Sequence, residues 1–258
     1  MFRKIVLPVM LFLGMVSPLW AVEVASIPPV KAILSYLGVQ DVVSILPSGS
    51  DPHTFELSPS TIMSLSNAKR VWMINGNLEV ERKLLRIIKD LYPKIEVVFL
   101  SDGLDMIDND PHQWISLKNL KVLINNASQR LGIKTKQVVI QRVESMDEEF
   151  ERVFSRLRVE NFLSFHPAWR YFCRDYGLKM VALANSGGEV SAKLMYKVLQ
   201  GCKIGKYRFI VLEKGFDVSR LSSLFESCPI PSIEFNPLSE DILAEFESLL
   251  NHMEALFL

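Results

Sequence analysis

The sequence predicts an α/β protein in which two similar α/β domains with parallel sheets are joined by a long helix. Three observations predict it. Short apolar runs alternate with amphipathic helical stretches over residues 22–117. The same alternation returns over residues 159–258. Between them, Lys134 to Arg158 runs without Gly or Pro, with Val139, Val143, Met146, Phe150, Val153 and Leu157 spaced by four and three. That spacing makes one helical stripe, and strands alternating with helices build parallel sheets.

In the first half, Val22–Ser26 reads as a strand, Pro29–Leu37 as a helix and Val42–Leu46 as a second strand. Ser58 with Pro59 opens a helix over about 59–66, because proline in a first turn lacks only an N–H that has no helical partner there. Arg70–Ile74 is the third strand, Leu78–Leu91 a helix and Ile95–Leu100 the fourth strand. Leu117–Leu131 is helical and leads to the long helix, so residues 118–158 form a helical segment. The stripe on the long helix predicts packing against the domains, with a coiled-coil dimer as the alternative.

The second half repeats the scheme. Strands are expected at Asn161–Phe165, Met180–Ala184, Phe209–Leu212 and Ile230–Phe235. Helices are expected at Trp169–Tyr176, Val190–Leu199, Val218–Glu226 and Glu240–Phe257. In such folds, ligands bind beyond the carboxyl ends of the strands.

Residues 1–21 stand apart. Arg3 and Lys4 precede an uncharged apolar stretch from Ile5 to Trp20, interrupted by Pro8, Gly14 and Pro18. This reads as an export signal cleaved near Ala21, and it is shorter than the ~20 apolar residues of a membrane span. No cysteine near the cut offers a lipid attachment point, so a periplasmic protein is expected. Removing residues 1–21 takes two positive charges and no negative one from a chain with 29 basic and 29 acidic residues, leaving −2. A near-neutral chain argues against nucleic-acid binding, which draws on a basic excess.

Three of the four histidines fall in loops after expected strands or at a strand end: His53, His112 and His166. Two of them share the prefix Asp-Pro-His (51–53 and 110–112). A given histidine carries that prefix by chance about 0.2% of the time, so the repetition marks a common role. Neutral imidazoles suit zinc, which takes three or four protein ligands. The prolines restrict the loops, and each preceding aspartate can accept a hydrogen bond from its histidine. His252, in the last helix, has no such context and reads as a surface residue.

These segments resemble the metal-ligand motifs of the zinc/manganese solute-binding proteins of bacterial ABC importers. PSGSDPHTFELSPS (47–60) is similar to the first ligand loop, DPHQWIS (110–116) to the second and SFHPAWRYFCRDYGL (164–178) to the third. EFNPL (234–238) aligns with the stretch carrying the fourth ligand. The resemblance implies two α/β domains about a rigid helix, metal held in the cleft between them, and delivery to a membrane permease driven by a cytoplasmic ATPase. It implies a monomer with one Zn(2+) per chain held by His53, His112 and His166. Histidine at the third position is similar to the zinc type, leaving Mn(2+) or Fe(2+) as the lesser expectation.

The chain departs from the family pattern at Asn236, where an aspartate is common; water or a nearby carboxylate then completes the shell, and Glu213 is the candidate carboxylate. The histidine-rich loop of many zinc-type members is replaced by a short segment with Asp102, Asp105, Asp108 and Asp110, expected to be a solvated acidic loop. Pro167 after His166 restricts it toward extended geometry. Cys202 and Cys228 each lie shortly before a strand, at the same edge of the expected sheet, so a bridge between them is expected in an exported protein. Cys173 is expected to be buried and free. Two other functions fit three histidines or an exported surface: a zinc hydrolase, against which no His-Glu-x-x-His occurs, and an adhesin.

Overall fold

The computed structural model describes residues 22–157, 161–185, 188–215 and 221–257; the expected export signal at 1–21 lies outside them. The first half contains β1 (Val22–Ala25), α1 (Pro28–Tyr36), β2 (Val43–Ser44), α2 (Pro59–Ser64), β3 (Ala68–Met73), α3 (Glu79–Leu91) and β4 (Glu96–Phe99). α4 (Leu117–Leu131) and α5 (Gln137–Leu157) follow. The second half contains β5 (Asn161–Ser164), α6 (Arg170–Tyr176), β6 (Lys179–Ala182), α7 (Ala192–Lys203), β7 (Ile210–Glu213), α8 (Ser222–Ser227), β8 (Ser232–Phe235) and α9 (Ile242–Phe257).

The strands form two parallel four-stranded sheets, in the orders β2-β1-β3-β4 and β6-β5-β7-β8. The second order repeats the first, so the two halves share one topology. Val71, Trp72 and Met73 are buried in succession on β3, as a parallel strand covered on both faces requires. Ser58 accepts the Thr61 N–H to cap α2, and Ser116 accepts the Asn119 N–H to cap α4. Gly132 ends α4 in the left-handed region at φ 69°, which glycine, lacking a Cβ, enters without strain.

The stripe on α5 is spent inside the chain. Val143, Met146, Phe150 and Val153 are buried; Ile140 and Phe154 join them, whereas Val139 is partly buried. The side chain of Leu157 lies outside the described set. Phe150 meets Phe172 of α6 at 5.3 Å and Phe246 of α9 at 6.4 Å between ring centroids. One apolar core therefore runs from the first sheet through α5 to α6, α9 and the inner face of the second sheet. A smaller core lies under α7 and α8 on the other face of that sheet.

Polar contacts also tie the halves together. Arg142 of α5 binds Glu247 of α9 through two bonds of 2.7 and 2.8 Å, and the Tyr36 hydroxyl donates to Asp241 at 2.7 Å. The Trp114 indole N–H donates to the Pro237 carbonyl at 2.7 Å. Among the described residues, no helix is long and apolar enough to cross a membrane.

Most element ends fall within three residues of expectation, and three elements differ further in extent or position. β2 spans two residues, although the Ile45 and Leu46 N–H groups still bond to the Ala25 and Ser26 carbonyls. α7 starts two residues later and runs to Lys203, carrying Cys202 on its last turn. The helix expected at Val218–Glu226 is observed as Ser222–Ser227; residues 218–220 lie outside the described set. Cys202 and Cys228 form a disulfide with Cα atoms 5.4 Å apart.

Candidate metal centre

Loops beyond the carboxyl ends of β2, β4, β5 and β8 converge on one cleft, lined by His53, His112, His166 and Asn236. The first loop carries His53. Asp51 Oδ1 accepts the His53 N–H at 2.9 Å, and its other oxygen accepts the Thr54 hydroxyl at 3.0 Å. The Pro52 carbonyl accepts the Val80 N–H, fastening this loop to α3.

The second loop carries His112, which is buried. Asp110 Oδ1 accepts the His112 backbone N–H at 2.9 Å and lies 2.7 Å from its Nδ1. A carboxylate oxygen accepts, so this contact assigns the Nδ1 proton to the bond with Asp110 and turns Nε2 toward the cleft, 3.2 Å from His166 Nε2. The expected solvated acidic loop therefore needs correction at Asp110: it is buried because it orients His112. Asp108 is exposed and pairs with Arg170 at 2.7 Å. Asp108 and Asn109 both adopt left-handed backbone, which short polar side chains tolerate.

The third loop carries His166. Glu213 lies behind it at the end of β7, 1% exposed. One Glu213 oxygen accepts the N–H groups of Phe165 and His166 at 3.1 and 3.0 Å, and the other accepts the Trp169 indole N–H at 2.6 Å. Burial pushes this carboxyl up to about 7, against the pull of those donors. Glu213 thus faces the backbone of the His166 loop, and it does not join the group of potential ligand atoms.

That group is His53, His112 and His166, whose ligand atoms lie within 4.8 Å of one another. His166 Nε2 is 3.2 Å from His53 Nε2 and 3.2 Å from His112 Nε2. Two nitrogens each about 2.05 Å from a tetrahedral zinc would stand about 3.3 Å apart. Burial, followed by the neighbouring imidazole of His112, holds His53 down at about 4 and His166 down at about 2. Both rings are neutral at neutral pH, the form in which imidazole ligates metal. The cleft beside them holds about 30 Å³, room for a water-sized ligand.

Asn236 lines this cleft after β8. Its Oδ1 accepts the Leu238 N–H at 3.1 Å, and its own N–H donates to Glu245 at 2.9 Å. Cys173 is partly buried, its thiol pushed up to about 12 by burial, and it stands outside the histidine group. His252 is exposed on α9 and bonds to the Ser248 carbonyl.

The sequence does not single out two supporting residues, Tyr171 and Glu81. Tyr171 of α6 donates to the Asp110 carbonyl at 2.8 Å and accepts the Ile107 N–H at 3.2 Å, clasping the His112 loop from the second half. Glu81 is fully buried and accepts the N–H groups of Ile74 and Gly76 and the Ser26 hydroxyl. One clue to Glu81 was available: an acid set among Val80, Leu84 and Ile88 on the apolar side of α3.

The fold and the site define a class: bilobal proteins that hold a small cargo between two α/β halves. The family model for the zinc-uptake complex component A, periplasmic, matches residues 24–257. The chain belongs to this family of substrate-binding proteins of zinc and other metal ABC importers, whose members are solute-binding proteins rather than enzymes. A putative metal-binding protein of Chlamydia muridarum is 26% identical over 237 residues, covering 85% of each chain. The iron ABC transporter substrate-binding lipoprotein MtsA of Streptococcus pyogenes is 22% identical over 219 residues, 74% of this chain and 70% of that one. Among solved structures, ZnuA superposes with a TM-score of 0.81 at 21% identity, covering 91% of this chain and 98% of the other. The laminin-binding protein Lmb of Streptococcus agalactiae, a bifunctional protein with adhesin and metal transporting activity, superposes with a TM-score of 0.78 at 21% identity, over 90% of this chain and 99% of the other.

Proposed function

We propose that this protein captures one Zn(2+) per chain with His53, His112 and His166 and delivers it, outside the cytoplasm, to the permease of an ABC importer. The single observation that carries this reading is the convergence of three imidazoles, with His166 Nε2 3.2 Å from the Nε2 atoms of both His53 and His112. An all-nitrogen donor set favours zinc over the harder Mn(2+), and Fe(2+) ranks below zinc at such a site on intrinsic affinity. The fourth position is taken by water or weakly by Asn236. Glu213 is better read as the group that holds the His166 loop, since both its oxygens already accept protein N–H donors. We also read residues 22–117 and 159–258 as the two lobes and 118–158 as the helical segment joining them, with residues 1–21 removed on export.

Calorimetric titration of the metal-stripped protein tests this reading, with Zn(2+), Mn(2+) and Fe(2+) in competition. The expected result is one zinc per chain, displaced by neither competitor at equal concentration, and loss of binding in His53→Ala. Stoichiometric preference for manganese or iron, or wild-type affinity in His53→Ala, overturns it.

A further inference from the structure

We propose that the outer face of α7 and the turn following it form a docking surface for an anionic phospholipid bilayer. Residues 188–209 contain five basic side chains and one acidic one, in a chain whose other charges, 24 basic and 28 acidic, sum to −4. At 100° per residue, Lys193, Tyr196, Lys197, Gln200, Lys203 and Ile204 fall within an arc of about 120°. Every one of them is exposed. Val198 and Gly201 are buried on the opposite side, against the small core of the second sheet. The face therefore presents three lysines, an aromatic ring and an isoleucine, with no carboxylate on it. Lys206 extends it past the helix end.

Among the described residues, no ion pair neutralises Lys193, Lys197, Lys203 or Lys206, as none neutralises Lys89 or Lys94; what sets this face apart is that three lysines share one helix face with exposed apolar groups. In addition, Ile204 is 79% exposed and Tyr196 66% exposed, among the most exposed large apolar side chains described. A tyrosine and an aliphatic tip amid lysines suit the headgroup region of a bilayer, where aromatic rings sit at the polar boundary and lysine stems cover apolar surface. Lysines as flexible point charges suit a fluid anionic surface better than the forked recognition of a specific carboxylate.

The backbone holds the tip in place. The Cys202–Cys228 disulfide ties the last turn of α7 to the approach of β8. Gly201 abuts the Tyr207 ring so closely that a Cβ would lie 2.6 Å from it. The Lys203–Lys206 turn precedes β7, at the opposite strand ends from the histidine loops, so attachment there leaves the cleft uncovered. This inference does not depend on the metal reading.

Vesicle co-sedimentation of the metal-free chain beginning at Val22 tests it, since the apolar N-terminal segment is then absent. The probes are phosphatidylcholine vesicles with and without about one-third phosphatidylglycerol. At about 50 mM salt, binding to the anionic vesicles should exceed binding to neutral ones by about tenfold or more, and about 500 mM salt should abolish the difference. Reversing Lys193, Lys197, Lys203 and Lys206 to Glu should remove the binding. Tyr196→Ser with Ile204→Ser should weaken it severalfold while leaving its salt dependence. Lys89→Glu with Lys94→Glu, exposed on the first half, serves as the charge control and should bind as wild type. Equal binding to both vesicles, no binding at low salt, or unchanged binding of the quadruple variant with its circular dichroism intact overturns the proposal. So does binding of an acidic polypeptide such as polyglutamate without binding of anionic vesicles.

Discussion

Asp110 grips His112 twice, accepting its backbone N–H at 2.9 Å and its ring Nδ1 at 2.7 Å through the same oxygen. Asp51 holds His53 only by the backbone N–H. The two Asp-Pro-His tripeptides are alike in sequence but different in what their aspartates do. Partners that orient a metal-ligating histidine typically contribute 10–100-fold to affinity. Asp110→Asn should therefore weaken zinc binding by about 10–100-fold, while Asp51→Asn costs less than about tenfold. Titration of both variants checks the difference; equal losses would show that the ring contact carries no special weight.

Glu213 gathers three N–H donors beneath the His166 loop. In Glu213→Gln one end of the amide becomes a donor facing a donor, at a buried position where an unmet hydrogen bond costs about 1–3 kcal/mol. Denaturation of the metal-free variant should show that loss. Zinc affinity should also fall, because the backbone of His166 is no longer pinned. A variant as stable as wild type would show that the pocket re-forms around the amide.

The pH dependence of the metal-free protein follows from the two depressed histidines. His53 titrates near 4 when folded, against about 6.5 in the unfolded chain. Its contribution is complete above pH 6.5 and is lost as pH falls from there towards 4, because the unfolded chain takes up the proton first. Glu213, raised to about 7, acts in the opposite sense: its contribution is lost as pH rises through about 4.5 to 7. Subtracting His53→Ala from wild type cancels the glutamate. The stability difference between them should shrink by roughly 1–3 kcal/mol between pH 7 and pH 4.5. A difference that stays constant with pH would contradict the buried, neutral state of His53.

The histidines that cluster in the cleft were legible because each stands in a short local pattern: Asp-Pro-His twice, and Phe-His-Pro at a strand end. Seventeen elements could be read by period and caps, down to the proline-opened α2 and the Gly132 stop. What sequence could not supply were contacts between distant segments. Trp114 reaching Pro237, Tyr36 reaching Asp241 and Tyr171 clasping the His112 loop join residues more than 60 positions apart. No periodicity marks such pairs. The short β2 was misjudged for a related reason: apolar Ile45 and Leu46 look like strand, but they turn away into the ligand loop while still bonding to the end of β1.

The Cys202–Cys228 bridge closes a 26-residue separation at the sheet edge away from the histidines. A loop of that length predicts a loss of about 2–4 kcal/mol on reduction or in Cys202→Ser with Cys228→Ser. Zinc affinity should be unchanged, since no ligand loop is touched. Denaturation and titration of the double variant check both halves; a large drop in affinity would couple the α7 edge to the cleft.

Asn236 offers the sharpest test of the fourth position. Its Oδ1 is already engaged by the Leu238 N–H at 3.1 Å, and the other end of the amide is an NH₂ group with no lone pair to give a metal. The neutral amide is thus a poor ligand on two counts: weak charge and an oxygen already in use. An aspartate at this position keeps one oxygen on Leu238 and turns the second, negatively charged, into the cleft. Asn236→Asp should tighten zinc binding by about tenfold or more. Calorimetry in competition with a chelator measures the constant, and X-ray absorption would register an added oxygen neighbour near 2.0 Å. If the constant is unchanged, residue 236 lies outside the coordination sphere, and a water-sized ligand in the adjoining cavity of about 30 Å³ completes it.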